Sequence, residues 1–548
     1  MLRIFGLNTS RNAINRVWQV RKYASATLNQ MLQLQHTELC ADPPLRGLVL
    51  GVYADEKDKS DVGVLTPPAW KYNLQKTGGR LLEVLRMSGP MPKPGQARIF
   101  FCPESEKVPF YTAVAIVGLG KECLGYNPYE VVDEQKEVIR RSVAKACMEL
   151  ALLDTVKIDV ENCGHTESAA EGAALGIWAY QQFRKKKHRI MIPSIDLYTL
   201  KDETCDIEGW RIGLQKAAAQ NLTRQLQEMP SNVLTPTAFA QHVVEVLCKS
   251  GVNVEVKVEG WASSQVMNAF LSVGRASCEP PIFLELSYYG TSADERPIVL
   301  VGQGITYDCG GLCLKPYEKL KLMRGDMTGA AVIVATCRAI AGLRLPVNIR
   351  GLIPLCENII GCNSFRSGDT VKCMNGKHIK IQGTDHEDVL VLADALLYAQ
   401  NFCPKLIVDV GTTSWYMRSL LGEAACGVFT NSEILWQQIN HASMHTGDRV
   451  WRLPLWNYYS KQVTSGMSAD AENYGIGSGG RPCKAAAFLR EFVPCGQWMH
   501  IDATSVMFTN GKNFEYLRQG MAGRPTRTLV EFIAQTICKD TAPKTPQK

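Results

Sequence analysis

Apolar residues in the second half of the chain form short runs that are separated by glycines and polar turns. Residues 297–301 form an apolar run with the length of a buried strand, and residues 348–354 form a second one. Residues 327–341 are apolar and poor in charge, which predicts a buried helix. Another helix is predicted at residues 386–400. The second half therefore alternates strands with helices.

The first half of the chain repeats this alternation with shorter segments. Strands are predicted at residues 47–53, 97–101 and 113–117, and helices at 134–153 and 169–185. Such a pattern is typical of an α/β domain with helices on both faces of its sheet. The chain has 548 residues, of which 46% are hydrophobic, so it is long enough to build more than one core.

We therefore predict an α/β protein of two domains that are joined by a polar helical connector. The smaller N-terminal domain spans residues 44–202, and the connector spans 203–228. The larger domain, with a central mixed sheet, spans residues 229–538, and a polar tail follows at 539–548. No internal repeat or low-complexity tract interrupts this order.

A basic leader that lacks acidic residues opens the chain. The first 37 residues contain no Asp or Glu. The basic residues at its start are Arg3, Arg11, Arg16, Arg21 and Lys22. Arginine-rich amphipathic leaders of this kind are typical of mitochondrial transit peptides. We expect residues 1–23 to direct import into the mitochondrial matrix and residues 24–43 to form an arm; a basic tail on a cytosolic protein is the alternative.

The leader accounts for most of the net positive charge. Without residues 1–23 the net charge falls from +7 to about +2, which gives no case for a nucleic-acid partner. One dense basic run remains at residues 184–189, before an apolar strand predicted at 190–193. We interpret that run as a solvated loop, with an anion-binding patch as the weaker alternative. No apolar run reaches the roughly 18 residues that span a membrane, so no membrane partner is expected.

Acidic residues follow the predicted strands and precede the predicted helices of the second half. Asp308 stands in a glycine-rich turn, Asp326 precedes the helix at 327–341, and Asp385 and Glu387 precede the helix at 386–400. Carboxylates at this spacing suit a pair of divalent ions, which can polarise a carbonyl and generate a hydroxide. On spacing alone, helix capping and turn formation explain Asp308, Asp385 and Glu387 equally well. The 19 cysteines contain no CxxC pair, so a zinc-finger site is not supported.

Three blocks of sequence around these residues resemble the signatures of the leucine aminopeptidase family. They read VGQGITYDCGG at 301–311, LMRGDM at 322–327 and GTDHEDVL at 383–390. Members of that family are zinc or manganese exopeptidases with two metal ions, generally homohexameric, and their N-terminal domain is macro-domain-like. The resemblance is weaker at the start of the mature chain and firm over residues 221–533.

Transferred position by position, the resemblance assigns roles to residues of this chain. The family's metal carboxylates fall on Asp308, Asp326, Asp385 and Glu387, and its catalytic lysine falls on Lys315. The family's metal-binding lysine falls on residue 303, which is a glutamine in this chain.

Gln303 is a neutral and weaker ligand than a deprotonated amine. We therefore expect one metal site to be retained and the second to be weakened. The family's catalytic arginine, which anchors a bicarbonate ion thought to act as general base, falls on Val389, and a family glycine falls on Asp388. Loss of a general base typically lowers the rate by about 10²–10⁴-fold. The alternative is that Asp388 or His386 takes over as the base.

The loop after the strand predicted at 406–410 also departs from the family. The family reads Ala-Thr-Leu-Thr-Gly, and this chain reads Gly-Thr-Thr-Ser-Trp at 411–415. The resemblance assigns substrate contacts to Met323, Thr412 and Trp415. A tryptophan in place of glycine adds about 150–250 Å² of side-chain surface, which we expect to fill space that a substrate would use. An outward-turned Trp415 is the alternative.

These departures favour a protein with reduced or lost peptidase activity. A transit peptide combined with a degraded metal site resembles the sperm leucyl-aminopeptidase paralogues of insects, which implies a structural hexamer of the sperm mitochondrial derivative. The expected partners are further copies of the chain or of its paralogues, and peptides. The alternative function is an active manganese- or zinc-dependent aminopeptidase that releases N-terminal residues, of leucine type, from peptides.

Overall fold

The computed structural model describes a defined part of the chain. The described residues are 45–54, 63–104, 109–200, 205–493 and 495–541, with side chains described up to residue 537. The predicted leader at 1–23, the arm at 24–43 and residues 542–548 of the predicted tail lie outside them. Among the described helices, none has both the length and the apolar character that crossing a bilayer requires.

A six-stranded sheet forms the N-terminal domain, in the order β3-β4-β1-β7-β8 with β2 paired to β1. The strands of this domain are Arg46–Tyr53 (β1), Val64–Leu65 (β2), Ala97–Phe101 (β3), Ala113–Gly118 (β4), Tyr126–Asn127 (β5), Val132–Asp133 (β6), Lys157–Val160 (β7) and Ser194–Leu197 (β8). Its helices are Pro67–Thr77 (α1), Arg80–Met87 (α2), Glu134–Ala151 (α3) and Thr166–Ile177 (α4), with a 3₁₀ turn at Lys186–His188. Strand β1 is parallel to β4 and β7, so the sheet is mostly parallel.

A nine-stranded mixed sheet forms the centre of the larger domain, in the order β18-β17-β20-β16-β11-β13-β10-β9 with β12 paired to β13. Its strands are Asn253–Val258 (β9), Ile282–Tyr289 (β10), Ile298–Gly302 (β11), Gly304–Asp308 (β12), Asn348–Asn358 (β13), Leu406–Gly411 (β16), Cys426–Thr430 (β17), Val450–Arg452 (β18) and Trp498–Asp502 (β20). Shorter strands outside this sheet are Thr370–Lys372 (β14), His378–Lys380 (β15), Ala471–Glu472 (β19), Phe508–Thr509 (β21) and Gly520–Met521 (β22). The predicted α/β class with a central mixed sheet is thus confirmed.

Helices surround the larger sheet and join it to the first domain. They are Ile207–Glu228 (α5), Pro236–Cys248 (α6), Glu259–Ser264 (α7), Asn268–Gly274 (α8), Tyr317–Leu320 (α9), Thr328–Leu343 (α10), Asp388–Ala399 (α11), Tyr416–Leu421 (α12), Glu433–Thr446 (α13), Asn457–Thr464 (α14), Arg481–Arg490 (α15) and Thr526–Thr541 (α16). Two 3₁₀ turns lie at Met323–Gly325 and Gln400–Phe402.

Alternate residues of β11 face the two sides of the large sheet, as the period of a strand requires. Ile298 and Leu300 belong to the apolar cluster that contains α10. Val299 and Val301 belong to the cluster on the other side, which contains α11. Because both faces are covered, the parallel strands of this sheet are continuous apolar runs.

Two predicted elements of the N-terminal domain are wrong in extent or position. The helix predicted at 169–185 is α4, which ends at Ile177, because Trp178 adopts an extended conformation and packs over the Arg224 guanidinium at 4.1 Å. The strand predicted at 190–193 is displaced to β8, which begins at Ser194 directly after Pro193. Proline has no N–H to donate to a neighbouring strand, which explains this later start.

Helix α5, in the position of the predicted connector, is a buried part of the interface between the domains. Glu171 of α4 is fully buried and binds Arg140 of α3 and Arg527 of α16, the latter at 2.8 Å. Lys216 of α5 lies between Glu167 at 2.5 Å and Glu531. These buried ion pairs join helices of both domains.

Removal of the Glu171 carboxylate tests this interface. We expect Glu171→Ala to lower the free energy of unfolding by about 3–5 kcal/mol, because two buried guanidinium groups lose their counterion. Burial alone would raise the pKa of Glu171, but Arg527 and Arg140 lower it from 4.5 to about 2. The contribution is therefore complete above pH 4.5 and lost as the pH falls towards 2. Urea denaturation at pH 7 and at acidic pH measures both effects.

Glu149→Ala is the control, since Glu149 forms a half-exposed pair with Lys145 at 3.1 Å. That change should alter the free energy of unfolding by less than about 1 kcal/mol. Equal midpoints for the two variants would contradict the role given to Glu171.

Candidate metal centre

Three buried carboxylates meet at the carboxyl ends of the parallel strands in the large sheet. Asp308 ends β12, Asp326 lies between the 3₁₀ turn at Met323–Gly325 and α10, and Glu387 immediately precedes α11. One oxygen of each carboxylate lies within 4.8 Å of the others. This carboxylate cluster, Asp308, Asp326 and Glu387, offers oxygen ligands of the kind that hard divalent cations prefer.

A tight turn aims Asp308 at the cluster. Gly310 adopts φ +89°, and a Cβ there would lie 2.5 Å from the Cys313 carbonyl oxygen, so the turn requires glycine. The Gly310 amide donates to Asp308 Oδ1 at 2.7 Å. Asn358 Nδ2 donates to the same oxygen at 2.8 Å and to the Thr384 carbonyl at 3.1 Å. Asn358 therefore joins β12 to the loop that carries Glu387, a role that the sequence did not reveal.

Lys315 places its ammonium group among the carboxylates. Its Nζ contacts Asp308 Oδ2 and lies 3.2 Å from Glu387 Oε1. Burial alone would lower the pKa of Lys315, but the surrounding carboxylates Glu387, Asp388 and Asp326 raise it above its ordinary value. The lysine is therefore held in its charged form, in contact with two members of the cluster.

Gln303 lies between β11 and β12, and its side chain is fully buried. Its Oε1 accepts a hydrogen bond from the Thr412 amide at 2.7 Å. Its Nε2 donates to Asp326 Oδ2 at 3.0 Å and to Asp388 Oδ1 at 3.3 Å. The amide nitrogen, which cannot act as a metal ligand, therefore faces the carboxylate cluster.

Negative charge is in excess around the cluster. Burial, more than any neighbour, raises the pKa of Asp326 to about 7. Burial and then the Glu387 and Asp326 carboxylates raise the pKa of Asp388 well above its ordinary value. Glu387 Oε2 is buried and has no hydrogen-bond partner in the described part of the chain. An orphaned carboxylate oxygen beside two further carboxylates fits one divalent cation.

Asp385 is separate from this group, although it lines the same cavity. Its side chain is 37% exposed and its Oδ2 lies 3.7 Å from His386 Nε2. Burial and then the Arg481 charge lower the pKa of His386 to about 2, so this histidine is neutral. The structure thus gathers three of the four carboxylates that the sequence predicted as ligands.

Val389 is 2% exposed and belongs to the apolar cluster on the α11 side of the sheet. Ala393 and Leu396, one and two turns further along α11, are buried in the same cluster. Residue 389 is thus a core position on an apolar face of α11.

A cavity of about 410 Å³ lies against the carboxylate cluster. Thr412 and Trp415 line it, together with Asp326, Lys315 and Asp385. Thr412 Oγ1 donates to Asp326 Oδ1 at 2.6 Å. The loop predicted to contact substrate therefore forms one wall of the cavity.

Trp415 borders the cavity and also packs against a small methionine cluster. That cluster consists of Met323, Met507 and Met521, and Met323 is buried within it. Lys319 Nζ lies 5.3 Å from the Trp415 ring centroid, within range of a cation–π contact. The indole thus forms part of the wall of the cavity that Lys315 also lines.

A buried hydrogen-bond network supports the loop at 411–415. His500 Nδ1 contacts Asp409 Oδ1 at 2.5 Å, and His500 Nε2 contacts Thr413 Oγ1 at 3.1 Å. Thr413 Oγ1 also donates to Asp502 Oδ2 at 3.0 Å. Sequence inspection missed these residues because Asp409, His500 and Asp502 stand within apolar strands, without a recognisable spacing.

Comparison with known proteins agrees with this architecture. The model of the cytosol aminopeptidase family, catalytic domain, matches residues 221–530, and that of the family's N-terminal domain matches residues 49–187. The cytosol aminopeptidase of Xenopus tropicalis is 44% identical over 494 residues, which cover 89% of this chain and 92% of that protein. The human cytosol aminopeptidase is 43% identical over 491 residues, with the same coverage of 89% and 92%.

A solved structure with a similar fold is the bottromycin maturation enzyme BotP. It superposes with a TM-score of 0.75 at 26% identity and covers 90% of this chain and 99% of its own. A second structure of BotP, in complex with Mn, matches equally well. The catalytic-domain model covers the residues of the carboxylate cluster, and both relatives match 89% of the chain at 43% identity or more. This chain therefore belongs to the cytosol aminopeptidase family, whose members are metal-dependent peptidases.

Proposed function

We propose that this member of the family has reduced or lost peptidase activity and serves as a structural oligomer in mitochondria. The observation that carries the proposal is the orientation of Gln303. Its oxygen accepts a hydrogen bond from the Thr412 amide at 2.7 Å, and its nitrogen donates to Asp326 and Asp388. A metal ion that used this amide oxygen as ligand would have to break the contact with Thr412.

Asp388 and Val389 support the same conclusion. Asp388 adds a buried acid beside Asp326, and its Oδ1 accepts a hydrogen bond from Gln303 Nε2 at 3.3 Å. Val389 contributes no charge and packs in the core. The site therefore has an additional acid, and it has no cation at residue 389 that could hold an anionic base. Without such a base, the rate advantage of about 10²–10⁴-fold that general-base catalysis gives is lost.

One divalent ion, Mn²⁺ or Zn²⁺, is proposed for Asp308, Asp326 and Glu387. Such an ion supplies Lewis acidity that polarises a carbonyl oxygen. A second ion lacks a complete ligand set in this proposal, because Gln303 is engaged elsewhere and Asp385 is partly exposed. Lys315 would remain near the ion and hold negative charge that develops on a bound substrate.

An active manganese- or zinc-dependent aminopeptidase, of leucine type, is the second candidate function. Lys315 and the three carboxylates lie together beside a cavity of about 410 Å³, which is large enough for the end of a peptide. The relatives are named as aminopeptidases. This candidate requires Gln303 to act as a replacement ligand despite its present hydrogen bonds.

Exposed aromatic and apolar side chains support self-association, proposed here as a homohexamer or a hexamer mixed with paralogues. Trp451, Trp456, Tyr458, Met467 and Ile476 are all exposed along one segment of the larger domain. Exposed apolar patches mark interaction surfaces on proteins. The proposed location in the mitochondrial matrix rests on the basic leader at residues 1–23. The proposed location in the sperm mitochondrial derivative rests on the combination of that leader with an altered metal site.

Peptide hydrolysis is the first test of this proposal. We expect the chain, supplied with Mn²⁺ or Zn²⁺, to hydrolyse leucine p-nitroanilide at least about 100-fold more slowly than the human relative measured beside it. The triple change Gln303→Lys, Asp388→Gly and Val389→Arg should raise the rate, because it restores a second ligand and a cation and removes an acid.

The matched control replaces the same residues with Gln303→Ala, Asp388→Gly and Val389→Ala, which alters the packing without adding the cations. Thermal unfolding of both variants distinguishes a lost fold from lost chemistry, since Val389 is buried. Hydrolysis by the unmodified chain at the rate of the human relative would reject the proposal in favour of the second candidate.

Metal stoichiometry is the second test. We expect the unmodified chain to bind one Mn²⁺ per subunit in equilibrium dialysis, and Glu387→Ala to bind none, because it removes one of three clustered ligands. Light scattering should give the same assembly mass for both proteins. Glu255→Gln is the control, since that side chain is 50% exposed and far from the cluster in sequence. Two ions per subunit in the unmodified chain would contradict the proposed loss of the second site.

Import is the third test. We expect residues 1–23 fused to a fluorescent reporter to direct it to mitochondria, because the segment is basic and lacks acids. Replacement of Arg3, Arg11, Arg16 and Arg21 by Gln should leave the reporter in the cytosol. Cytosolic fluorescence from the unmodified fusion would show that the segment is not a transit peptide.

A further inference from the structure

A second cavity, of about 320 Å³, lies between the two domains and away from the carboxylate cluster. One wall comes from the N-terminal domain, where Trp178, Tyr180 and Arg184 follow α4. The other wall comes from the larger domain, where Arg224 lies on α5 and Arg518 lies in the loop before β22. Three arginines of two domains therefore meet around one space.

Arg224 is 1% exposed and only partly neutralised. Its Nη1 donates to Asn221 Oδ1 at 2.9 Å and to the Leu175 carbonyl at 3.3 Å. Its guanidinium carbon lies 4.1 Å from the Trp178 ring centroid. Its Nε is buried and finds no hydrogen-bond partner among the residues that the structure describes. An unpaired donor of this kind is costly unless a ligand satisfies it.

Arg518 repeats this feature on the same wall. Its Nε and Nη2 atoms are both buried and lack a partner within the described residues. Burial lowers the pKa of Arg518 below its ordinary value. Burial and the nearby Arg518 charge, opposed by Glu228, lower the pKa of Arg224 to about 9. The guanidinium charges of Arg224 and Arg518 thus repel one another in a region that is shielded from water.

Glu228 is the acidic residue among those that line the cavity, and its oxygens already have donors. Its Oε2 accepts from Arg324 Nη2 at 2.7 Å, and its Oε1 accepts from the Met521 amide at 2.6 Å. It therefore leaves the unpaired nitrogens of Arg224 and Arg518 without an anion.

The basic run at residues 184–189 borders this cavity through Arg184. Its loop is held in a fixed shape, because Gln181 exchanges hydrogen bonds with the Ile190 backbone at 2.6 and 2.9 Å. Arg189 Nε also donates to the Arg184 carbonyl at 2.9 Å. A positively charged loop at the edge of a cavity attracts anions towards it. The weaker interpretation of this run, an anion-binding patch, thereby gains a structural basis.

We propose that this cavity is a second ligand site, which binds the oxyanion group of a small molecule between Arg224 and Arg518. Guanidinium groups match the geometry of phosphate and carboxylate oxygens through paired N–H donors. The volume exceeds that of a bare inorganic ion, and Trp178 and Tyr180 offer apolar surface to the rest of the molecule. The site uses none of the residues of the carboxylate cluster, so it stands whether or not the chain hydrolyses peptides.

Calorimetric titration of the full chain tests this site. Inorganic phosphate, glucose 6-phosphate and citrate are the probes, each in a buffer with EDTA and at matched ionic strength, so that no metal ion recruits the anion. We expect saturable binding of at least one probe, and a loss of about 10-fold or more in its affinity in Arg518→Gln, because a charge-assisted pair of donors is removed. Comparison of the phosphates with citrate identifies which oxyanion the site prefers.

Arg518→Lys retains the charge without the paired donors and should bind with intermediate affinity. Arg366→Gln is the matched control, since that side chain is 72% exposed and does not line the cavity, and it should bind as tightly as the unmodified chain. Equal affinities in all four proteins, or no saturable binding below about 10 mM of any probe, would overturn the proposal. A smaller assembly mass for Arg518→Gln without any anion binding would also overturn it, because the arginines would then bind a neighbouring subunit.

Discussion

Mutual repulsion among buried carboxylates is the constraint on which the candidate metal centre depends. Asp308, Asp326 and Glu387 have oxygens within 4.8 Å of one another and are shielded from water. Charges at that distance in a protein interior cannot all persist without compensation. Lys315, the Asn358 amide and the turn at Gly310 supply part of that compensation, while burial raises the pKa of Asp326 to about 7.

Gln303 and Asp388 determine the hydrogen bonding and charge beside the carboxylate cluster. The Gln303 oxygen accepts a hydrogen bond from the Thr412 amide, and its nitrogen donates to Asp326 and Asp388. A neutral, hydrogen-bonded side chain therefore lies between the two strands. Asp388 adds an acid where the surroundings already contain too much negative charge. The strands and helices around the cluster thus have the α/β architecture of the family, and Gln303 and Asp388 set the hydrogen bonds and charge beside it.

The interface between the domains shows how the remaining buried charges are arranged. Glu171 and Lys216 each lie between groups of opposite charge, which join α3, α4, α5 and α16. Arg224 and Arg518 break that rule, since they line a cavity with nitrogens that have no partner among the described residues. The contrast makes the second cavity an exception within an interface that is otherwise well paired.

The sequence by itself determined the elements whose pattern is local. The apolar runs of β11 and α10 lie where their pattern predicted them, because a run buried on all sides needs little information beyond its own composition. The partly exposed edge strand β3 also lies at its predicted residues. The motifs around Asp308, Asp326 and Glu387 likewise indicated the family and a shared metal site.

Tertiary structure alone decided the features that depend on distant partners. The end of α4 at Ile177 follows from the packing of Trp178 against Arg224. These residues are 46 positions apart in the sequence, but the Arg224 guanidinium carbon lies 4.1 Å from the Trp178 ring centroid. The separation of Asp385 from the cluster, the Asn358 bridge and the unpaired nitrogens of Arg518 likewise have no local signature. Burial and electrostatic pairing join residues that are remote in sequence, so their outcome is fixed only when the chain has folded.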